Sequence, residues 1–314
     1  MNLSFLLSAV EQAGIFAILA LGVYITYKIL DFPDLTVDGS FPLGGAVTAV
    51  LLTKGVSPLI AMPASLLAGA AAGFLTGVIH VKMKVRDLLA GIIMMTGLYS
   101  VNFLIAGKAN LPITTSTGMK TLFVNPTVSG LFGAARGDEA PLSFLREYRV
   151  LILLFLLIVL LKILMDLFFR TKLGYLLRAE GDNERLVSLL ARDGGTMKIL
   201  GLMLANALVS FSGSLYVQYN KAFNLTDGTG KMVIGLAAVV IGINLFGKIR
   251  FLRPTTAVVI GAVTYNLCVA LALKNADANV KNLVTAALFL LVLAAAYIRL
   301  PAKKKKENGK EEQV

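Results

Sequence analysis

The sequence is short of the residues from which most catalytic and metal sites are built. Its 314 residues include one cysteine, Cys268, and one histidine, His80. A single cysteine excludes a disulfide within the chain, and one cysteine with one histidine excludes the usual structural zinc cluster. No acid, base and nucleophile fall into a catalytic arrangement. The sequence therefore predicts neither an enzyme nor a protein with a cofactor.

A nucleotide site of the phosphate-loop type is also missing. The nearest match, GTGKM at 228–232, lacks the leading glycine of that motif and the Ser or Thr that should follow its lysine. Any process driven by ATP would therefore need a separate ATPase chain.

Charged residues are scarce as well. They make up 15% of the chain, whereas hydrophobic residues make up 57%; ordinary soluble domains carry about 25% charged residues. The net charge is +12, but the basic residues lie between apolar runs and at the C-terminus rather than in a pattern typical of a nucleic-acid groove. We expect a protein of the lipid bilayer that does not bind nucleic acid.

Apolar runs of about 20 residues, the length of a membrane-spanning helix, define the predicted fold. Eight such runs lie at 5–28, 57–79, 87–106, 149–169, 198–218, 231–247, 255–273 and 281–299. A ninth, at 41–53, is short, and is either a full span or half of a broken helix of the kind that transporters place at a substrate site. The prediction is an all-α polytopic membrane protein with about nine transmembrane helices, one of them short or broken. Residues 1–300 form the membrane domain and residues 301–314 a charged tail.

Basic residues predict the orientation of these spans. Nine crossings with the N-terminus outside place most of the 30 Lys and Arg residues on the inner side. The C-terminal tail is then cytoplasmic and acts as a topological anchor, and the loop at 107–148 is external. No Lys or Arg precedes Lys28, so the first helix is expected to be retained rather than cleaved as a signal peptide.

Three charged residues fall within predicted spans, where charge is costly and often functional. Lys162 and Asp166 are four residues apart on one helix and can pair with each other, and Glu11 lies in the first helix. One interpretation is local ion pairing. The other is a set of coupling charges, which would make the protein an ion-coupled secondary transporter or a channel.

Polar residues recur on two predicted helices. On the helix at 198–218 the residues at helical spacing are Asn206, Ser210, Gly213 and Ser214. Tyr99 and Asn102 belong to a smaller patch on the helix at 87–106. Such stripes indicate either close helix packing or a hydrated translocation path.

The segment DFPDLTVDGSFPLGG at 31–45 combines helix breakers with acidic residues. Proline and glycine interrupt helices, and Asp34 and Asp38 suit turns and helix N-termini. The segment is either a simple inner loop or a broken-helix element beside the substrate path.

A polar segment, RTKLGYLLRAEGDNERLVSLLARDGGTMK, separates two apolar runs from Arg170 to Lys198. Its leucines recur at helical spacing before and after Gly181 and Asp182, which predicts two short amphipathic helices joined by a turn. The segment is too polar to enter lipid, and its apolar stripes need cover. It either docks a cytoplasmic partner protein or rests on the membrane surface.

The same polar segment resembles the cytoplasmic coupling loop of ABC importer permeases of the branched-chain amino acid and ribose type. LRAEGDN at 177–183 is its most specific part. DFPDLTVDGSFPLGGAV and GLAAVVIGINLFGKIRFLRPTTAVVIGAV (235–263) resemble further parts of the same family in the expected order. DLLAGIIMMTGLYSVNFLIAGKANLPI is most similar to permeases linked to tryptophan or tyrosine uptake.

The resemblance implies a bacterial plasma-membrane permease that works as a homodimer. It implies a cytoplasmic ABC ATPase, an extracytoplasmic substrate-binding protein, and alternating access driven by ATP hydrolysis in the ATPase. The coupling loop would span 170–197, and the residues expected to couple to the ATPase are Gly174, Arg178, Ala179, Glu180, Gly181, Asp182, Asn183 and Arg185. The residues expected along the translocation pathway are Asp34, Asp38, Tyr99, Asn102, Asn206 and Ser210.

The expected solute is small and polar. The family's sugar-type Gly-Gly-Ile-Asp-Leu-Ser run is only partly matched, by residues 34–39, which favours an amino acid, possibly aromatic in view of the tryptophan and tyrosine resemblance, over a sugar. Ribose-type permeases usually have a further N-terminal helix, which this sequence does not show. We therefore expect nine spans with the N-terminus outside.

Overall fold

A computed structural model describes residues 3–113, 121–124, 148–182, 194–247, 249 and 252–273, together with residues 286, 287, 290 and 294. Its helices are α1 (Leu3–Tyr24), α2 (Val37–Thr53), α3 (Pro58–Val81), α4 (Asp87–Ala106), α5 (Arg149–Phe168), α6 (Lys172–Asp182), α7 (Gly194–Asn220), α8 (Lys231–Ile241) and α9 (Pro254–Leu273). Two short strands, β1 (Asn110–Pro112) and β2 (Ala222–Asn224), form one antiparallel pair. The predicted all-α membrane fold is confirmed.

Seven helices of the described chain are long and apolar enough to cross a membrane. They run over Phe5–Ile29, Pro58–Val81, Asp87–Ala106, Arg149–Phe168, Gly194–Asn220, Leu225–Phe246 and Pro254–Ala272. Each matches one of the eight full-length runs predicted from the sequence. The eighth run, at 281–299, lies almost entirely outside the described residues, as do most of the 107–148 loop and the tail.

Helix α7 lies at the centre of the bundle, between α1, α2 and α3. Glycines on the neighbouring helices allow this close packing. A Cβ on Gly44 of α2 would overlap the carbonyl oxygen of Ser210, and a Cβ on Gly69 of α3 would overlap that of Asn206. Small residues of this kind let helix backbones approach where lipid provides no hydrophobic drive for association.

The bundle has two ends, which we call the α6 end and the sheet end after the elements found there. At the α6 end the ring of Phe32, just after α1, lies 5.0 Å from that of His80, near the end of α3. Arg253, just before α9, binds Asp166 near the end of α5. Because Gly181 of α6 packs on the Ile29 carbonyl, these two pairs of residues lie at the same end of the molecule.

Helix α2 differs from its prediction. It begins at Val37, four residues before the predicted start, and Pro42 lies inside it. Proline has no N–H to bond the carbonyl four residues earlier, which is that of Asp38. Gly228 packs directly on this carbonyl, where a Cβ would overlap the oxygen. The backbone at Gly228 therefore packs against α2 at the carbonyl that Pro42 leaves without its usual helical partner.

Helix α2 is shorter than the seven candidate spans, and it begins next to α8, which makes up half of the span Leu225–Phe246. Helix α2 has 17 residues, and α8 has 11 residues followed by a π-helical turn at Gly242–Phe246. The first turn of α2 contacts Gly230, the residue before α8, through Asp38. Paired short helices of this kind fit the predicted broken-helix element.

Candidate functional site

A buried hydrogen-bond network joins the start of α2 to the middle of α7. Asp34 accepts bonds from the backbone N–H of Thr36 at 2.9 Å and from Asn206 Nδ2 at 2.7 Å. The hydroxyl of Ser40 donates to Asn206 Oδ1 at 2.7 Å. Asp34 lies in the connection between α1 and α2, and burial raises the pKa of its carboxyl, partly opposed by hydrogen bonds from Thr36 and Asn206.

The polar stripe of α7 continues this network toward the sheet end. Ser210 donates to the backbone carbonyl of Ser65 on α3 at 2.6 Å, and Thr48 of α2 donates to Ser214 at 2.7 Å. These side chains are fully buried. Of the two interpretations of the stripe, the geometry favours close helix packing for Asn206 and Ser210.

Asp38 connects the two short helices. Its carboxylate accepts the backbone N–H of Gly230 at 2.9 Å and that of Met232 at 2.7 Å. These amides belong to the start of α8, where helical N–H groups lack partners and the helix dipole favours an anion. Gly230 has φ +76°, a left-handed conformation that glycine adopts without strain. Asp38 therefore fixes the start of α8 against α2.

Lys231, the lysine of the GTGKM run at 228–232, is buried. Its Nζ lies 4.7, 5.2 and 4.9 Å from the ring centroids of Phe16, Phe41 and Tyr216. Aromatic faces stabilise a cation removed from water. A lysine entering an apolar run is a signal of such a site, but the three rings come from three different helices, which the sequence does not bring together.

A cleft of about 440 Å³ opens between α2, α4 and the turn before α8. It is lined by Asp38, Gly39, Pro42, Met95, Thr96, Tyr99, Ser100, Asn102, Leu225 and Thr229. Asn102 donates to the Gly39 carbonyl at 3.0 Å, while its Oδ1 is buried and has no hydrogen-bond partner among the described residues. The structure thus brings three predicted pathway residues, Asp38, Tyr99 and Asn102, to one cleft. Asp34, Asn206 and Ser210 are not among its lining residues.

Helix α6 confirms the first of the two predicted amphipathic helices. Its buried side packs on the rest of the protein through small residues: a Cβ on Gly174 would overlap the Phe168 carbonyl, and one on Gly181 would overlap that of Ile29. Glu180 is buried and lies 3.8 Å from Lys198 Nζ at the start of α7. Helix α6 is therefore attached to the ends of α1, α5 and α7.

The opposite side of α6 faces away from the bundle. Lys172, Tyr175 and Asp182 lie on this side and are exposed, Tyr175 at 62%. Arg178 and Ala179 are partly buried. The other two residues expected to couple to the ATPase, Asn183 and Arg185, lie outside the described residues, as does the second predicted amphipathic helix.

The intramembrane charges all have partners within the protein. Asp166 binds Lys162 at 3.2 Å, Arg253 at 2.8 Å and the Thr255 hydroxyl at 2.6 Å. Glu11 accepts a hydrogen bond from the Tyr219 hydroxyl at 3.0 Å. This arrangement favours local pairing over a set of free coupling charges.

Comparison with known proteins gives a consistent family. Residues 5–293 match the family described as "Branched-chain amino acid transport system / permease component". The chain is 40% identical over 304 residues to a tyrosine transport system permease protein of Clostridioides difficile, covering 96% of this chain and 95% of that protein. It is 29% identical to the ribose import permease protein RbsC of Escherichia coli, covering 76% and 68% of the two chains. It is 26% identical to a probable branched-chain amino acid transport permease protein, LivH, of Methanocaldococcus jannaschii, covering 72% and 69%.

Proposed function

The chain belongs to the family of branched-chain amino acid transport permease components, and from this premise we propose that it imports an amino acid, with tyrosine the first candidate. As a member of that family it is the permease subunit of an ABC transporter, and ATP hydrolysis takes place in a separate subunit. The choice of tyrosine is supported by the relative that is 40% identical over nearly the whole chain and is named for tyrosine transport.

The observation that carries the proposal of ATP-driven import is the way in which α6 is attached to the transmembrane helices. One side of α6 is locked to the ends of α1 and α7 through Gly181 and Glu180, and the other side is exposed. A helix held in this way moves together with the helices it packs on. An ATPase that binds the exposed side would therefore transmit its closure to α1 and α7.

The cleft lined by Asp38, Tyr99 and Asn102 is our candidate for the translocation pathway. Asn102 lines the cleft, and its buried Oδ1 has no hydrogen-bond partner among the described residues. An acceptor of this kind suits the ammonium or hydroxyl group of an amino acid. Asp34, Asn206 and Ser210 form the hydrogen-bonded frame that holds α2, α3 and α7 together beside it.

A second copy of the chain would complete this pathway. The exposed face of α4 carries Thr96, Tyr99 and Ser100 beside the cleft. The Thr96 hydroxyl donates to the Ile92 carbonyl of its own helix. Polar groups such as those of Tyr99 and Ser100 are nevertheless unfavourable in hydrocarbon, and a second α4 related by twofold symmetry would cover them. We therefore propose a homodimer with the pathway between the two copies.

Orientation follows from the proposed partners. The α6 end faces the cytoplasm and the ATPase, and the N-terminus and the sheet end face outward, where a substrate-binding protein delivers the solute. We propose that the protein lies in the bacterial plasma membrane.

Transport in proteoliposomes tests the proposal. We expect uptake of labelled tyrosine when the permease is reconstituted with its ATPase, its binding protein and internal ATP, with no effect of a proton uncoupler. Excess unlabelled tyrosine should compete and excess ribose should not. Uptake that persists without the ATPase and stops with the uncoupler would instead establish an ion-coupled transporter, and the intramembrane charges would then need a new interpretation.

A further inference from the structure

A second cleft, of about 220 Å³, lies at the α6 end between α5, α6 and α9. It is lined by Tyr24, Asp166, Phe169, Arg170, Tyr175, Arg178, Arg253, Pro254 and Thr255. Three arginines and two tyrosines therefore meet in one small volume, and the amino acid pathway described above does not use it.

The charges in this cleft are unbalanced. Asp166 is the one acid among the lining residues, and it is already bound by Lys162 and Arg253. Among the described residues neither Arg170 nor Arg178 forms an ion pair, and the Arg178 guanidinium lies 4.7 Å from the Phe169 ring centroid. Two guanidinium groups are thus available to an anion, and their planar forks match the oxygens of a phosphate.

The cleft lies where the hydrocarbon of a bilayer would end. Arg170 follows directly after the membrane-spanning helix α5 and the buried Phe169. On α5, Leu160, Leu164 and Leu167 are each more than half exposed and are spaced along one face that leads to Arg170. An apolar track that ends in a cationic cleft fits an acyl chain with its headgroup.

We propose that this cleft binds the phosphate diester headgroup of an anionic phospholipid. The headgroup lies between Arg170 and Arg178, and the acyl chains run along the exposed leucines of α5. Basic pockets between transmembrane helices at a membrane boundary recognise such lipids. Bound there, the lipid connects α6 to α5 and α9, so it stabilises the position of α6 in addition to the contacts at Gly181 and Glu180.

Lipid retention by the purified full-length chain tests this site, whatever solute the protein carries. Phosphatidylglycerol and phosphatidylcholine are supplied together, and the lipids that remain bound are measured by native mass spectrometry. We expect the wild type to retain phosphatidylglycerol selectively. In the double variant Arg170→Gln/Arg178→Gln, retention should fall about fivefold for each arginine removed. The control Arg86→Gln/Lys172→Gln removes the same charge from exposed residues at the same end and should retain the lipid.

Three results would overturn the proposal. The first is equal retention of phosphatidylglycerol and phosphatidylcholine by the wild type. The second is a loss of phosphatidylglycerol from the control variant equal to that from the double variant. The third is thermal stabilisation of the wild type by inorganic phosphate equal to that by phosphatidylglycerol. For the last, phosphatidylglycerol and inorganic phosphate are compared for thermal stabilisation of the wild type. We expect stabilisation by the lipid alone, and equal stabilisation by phosphate would show a site for the free anion. If the double variant folds poorly, Arg170→Gln alone is compared with the wild type for retention of phosphatidylglycerol. This single change is at an exposed side chain.

Discussion

Asn206 is the residue on which the polar centre of the bundle depends. Its amide contacts Asp34 in the connection before α2, Ser40 in α2, and the carbonyl of Leu202 in its own helix. Every polar atom of the side chain is therefore used. In the buried interior of the bundle, the loss of such a group leaves its hydrogen-bond partners unsatisfied.

We predict that Asn206→Ala lowers the free energy of unfolding by about 1–3 kcal/mol. The variant removes bonds to Asp34 and Ser40 that no other described side chain replaces. Unfolding in detergent, followed by circular dichroism, measures the effect. Thr264→Ala is the control, because within the described part of the chain the Thr264 hydroxyl bonds only to the Ile260 carbonyl in its own helix. Equal stability of the two variants would contradict the role given to Asn206.

The sequence predicts the residues that α7 contributes to this network but misses the residues that α2 contributes. Asn206, Ser210 and Ser214 recur at helical spacing and could be identified from α7 alone. Their partners Ser40 and Thr48 on α2 were missed because proline and glycine dominate that segment. A spacing of four from Ser40 through Gly44 to Thr48 is the signal that could have found them.

At the scale of the elements, α6 packs so closely on its neighbours that its contacts leave no room for larger side chains. Gly181 packs on the Ile29 carbonyl at the end of α1, and Leu177 is completely buried. Any side chain at position 181 must move α6 away from α1. Overpacking of this kind costs about 1–3 kcal/mol.

We predict that Gly181→Ala leaves the protein inserted in the membrane but reduces ATP-driven uptake by about tenfold, since a methyl group there displaces α6. ATP hydrolysis by the assembled complex should fall less than uptake does. Measuring both activities in the same proteoliposomes gives the ratio of solute moved to ATP consumed. Lys172→Ala, an exposed change in the same helix, should leave that ratio near the wild-type value, and an unchanged ratio in Gly181→Ala would count against coupling through α6.

Element positions were more predictable than element ends. The long apolar helices follow from hydrophobicity alone, because a run of about 20 apolar residues has few alternatives in a membrane protein. The π-helical turns at Ile25–Ile29 and Gly242–Phe246, and the strands β1 and β2, were not predicted. Strands of three residues show no useful alternation, and π-helical turns depend on tertiary contacts.

At the scale of the whole molecule, the exposed face of α4 determines how two copies would meet. Thr96, Tyr99 and Ser100 lie on this face beside the cleft, among exposed apolar residues such as Ile93 and Leu104, whereas the exposed residues of α5 are all apolar. The first face suits a protein partner and the second suits lipid.

We predict that a cysteine at position 100, introduced as Ser100→Cys with Cys268→Ala, crosslinks two copies of the chain in native membranes. A short bifunctional thiol reagent and a denaturing gel detect the covalent dimer. Leu160→Cys in the same background places the thiol on the lipid-facing side of α5. A dimer formed from position 160 and not from position 100 would refute the proposed arrangement.

The central claim is that the exposed side of α6 binds an ATPase that this chain does not contain. Photocrosslinking in intact cells tests it directly, with a photoreactive amino acid at position 175 or 182 of α6. The control position is Leu104, which is 78% exposed in the membrane-spanning helix α4. We expect positions 175 and 182 to capture an ABC ATPase subunit and position 104 not to capture one. Capture of lipid alone from both α6 positions, with the ATPase present in the same cells, would contradict it.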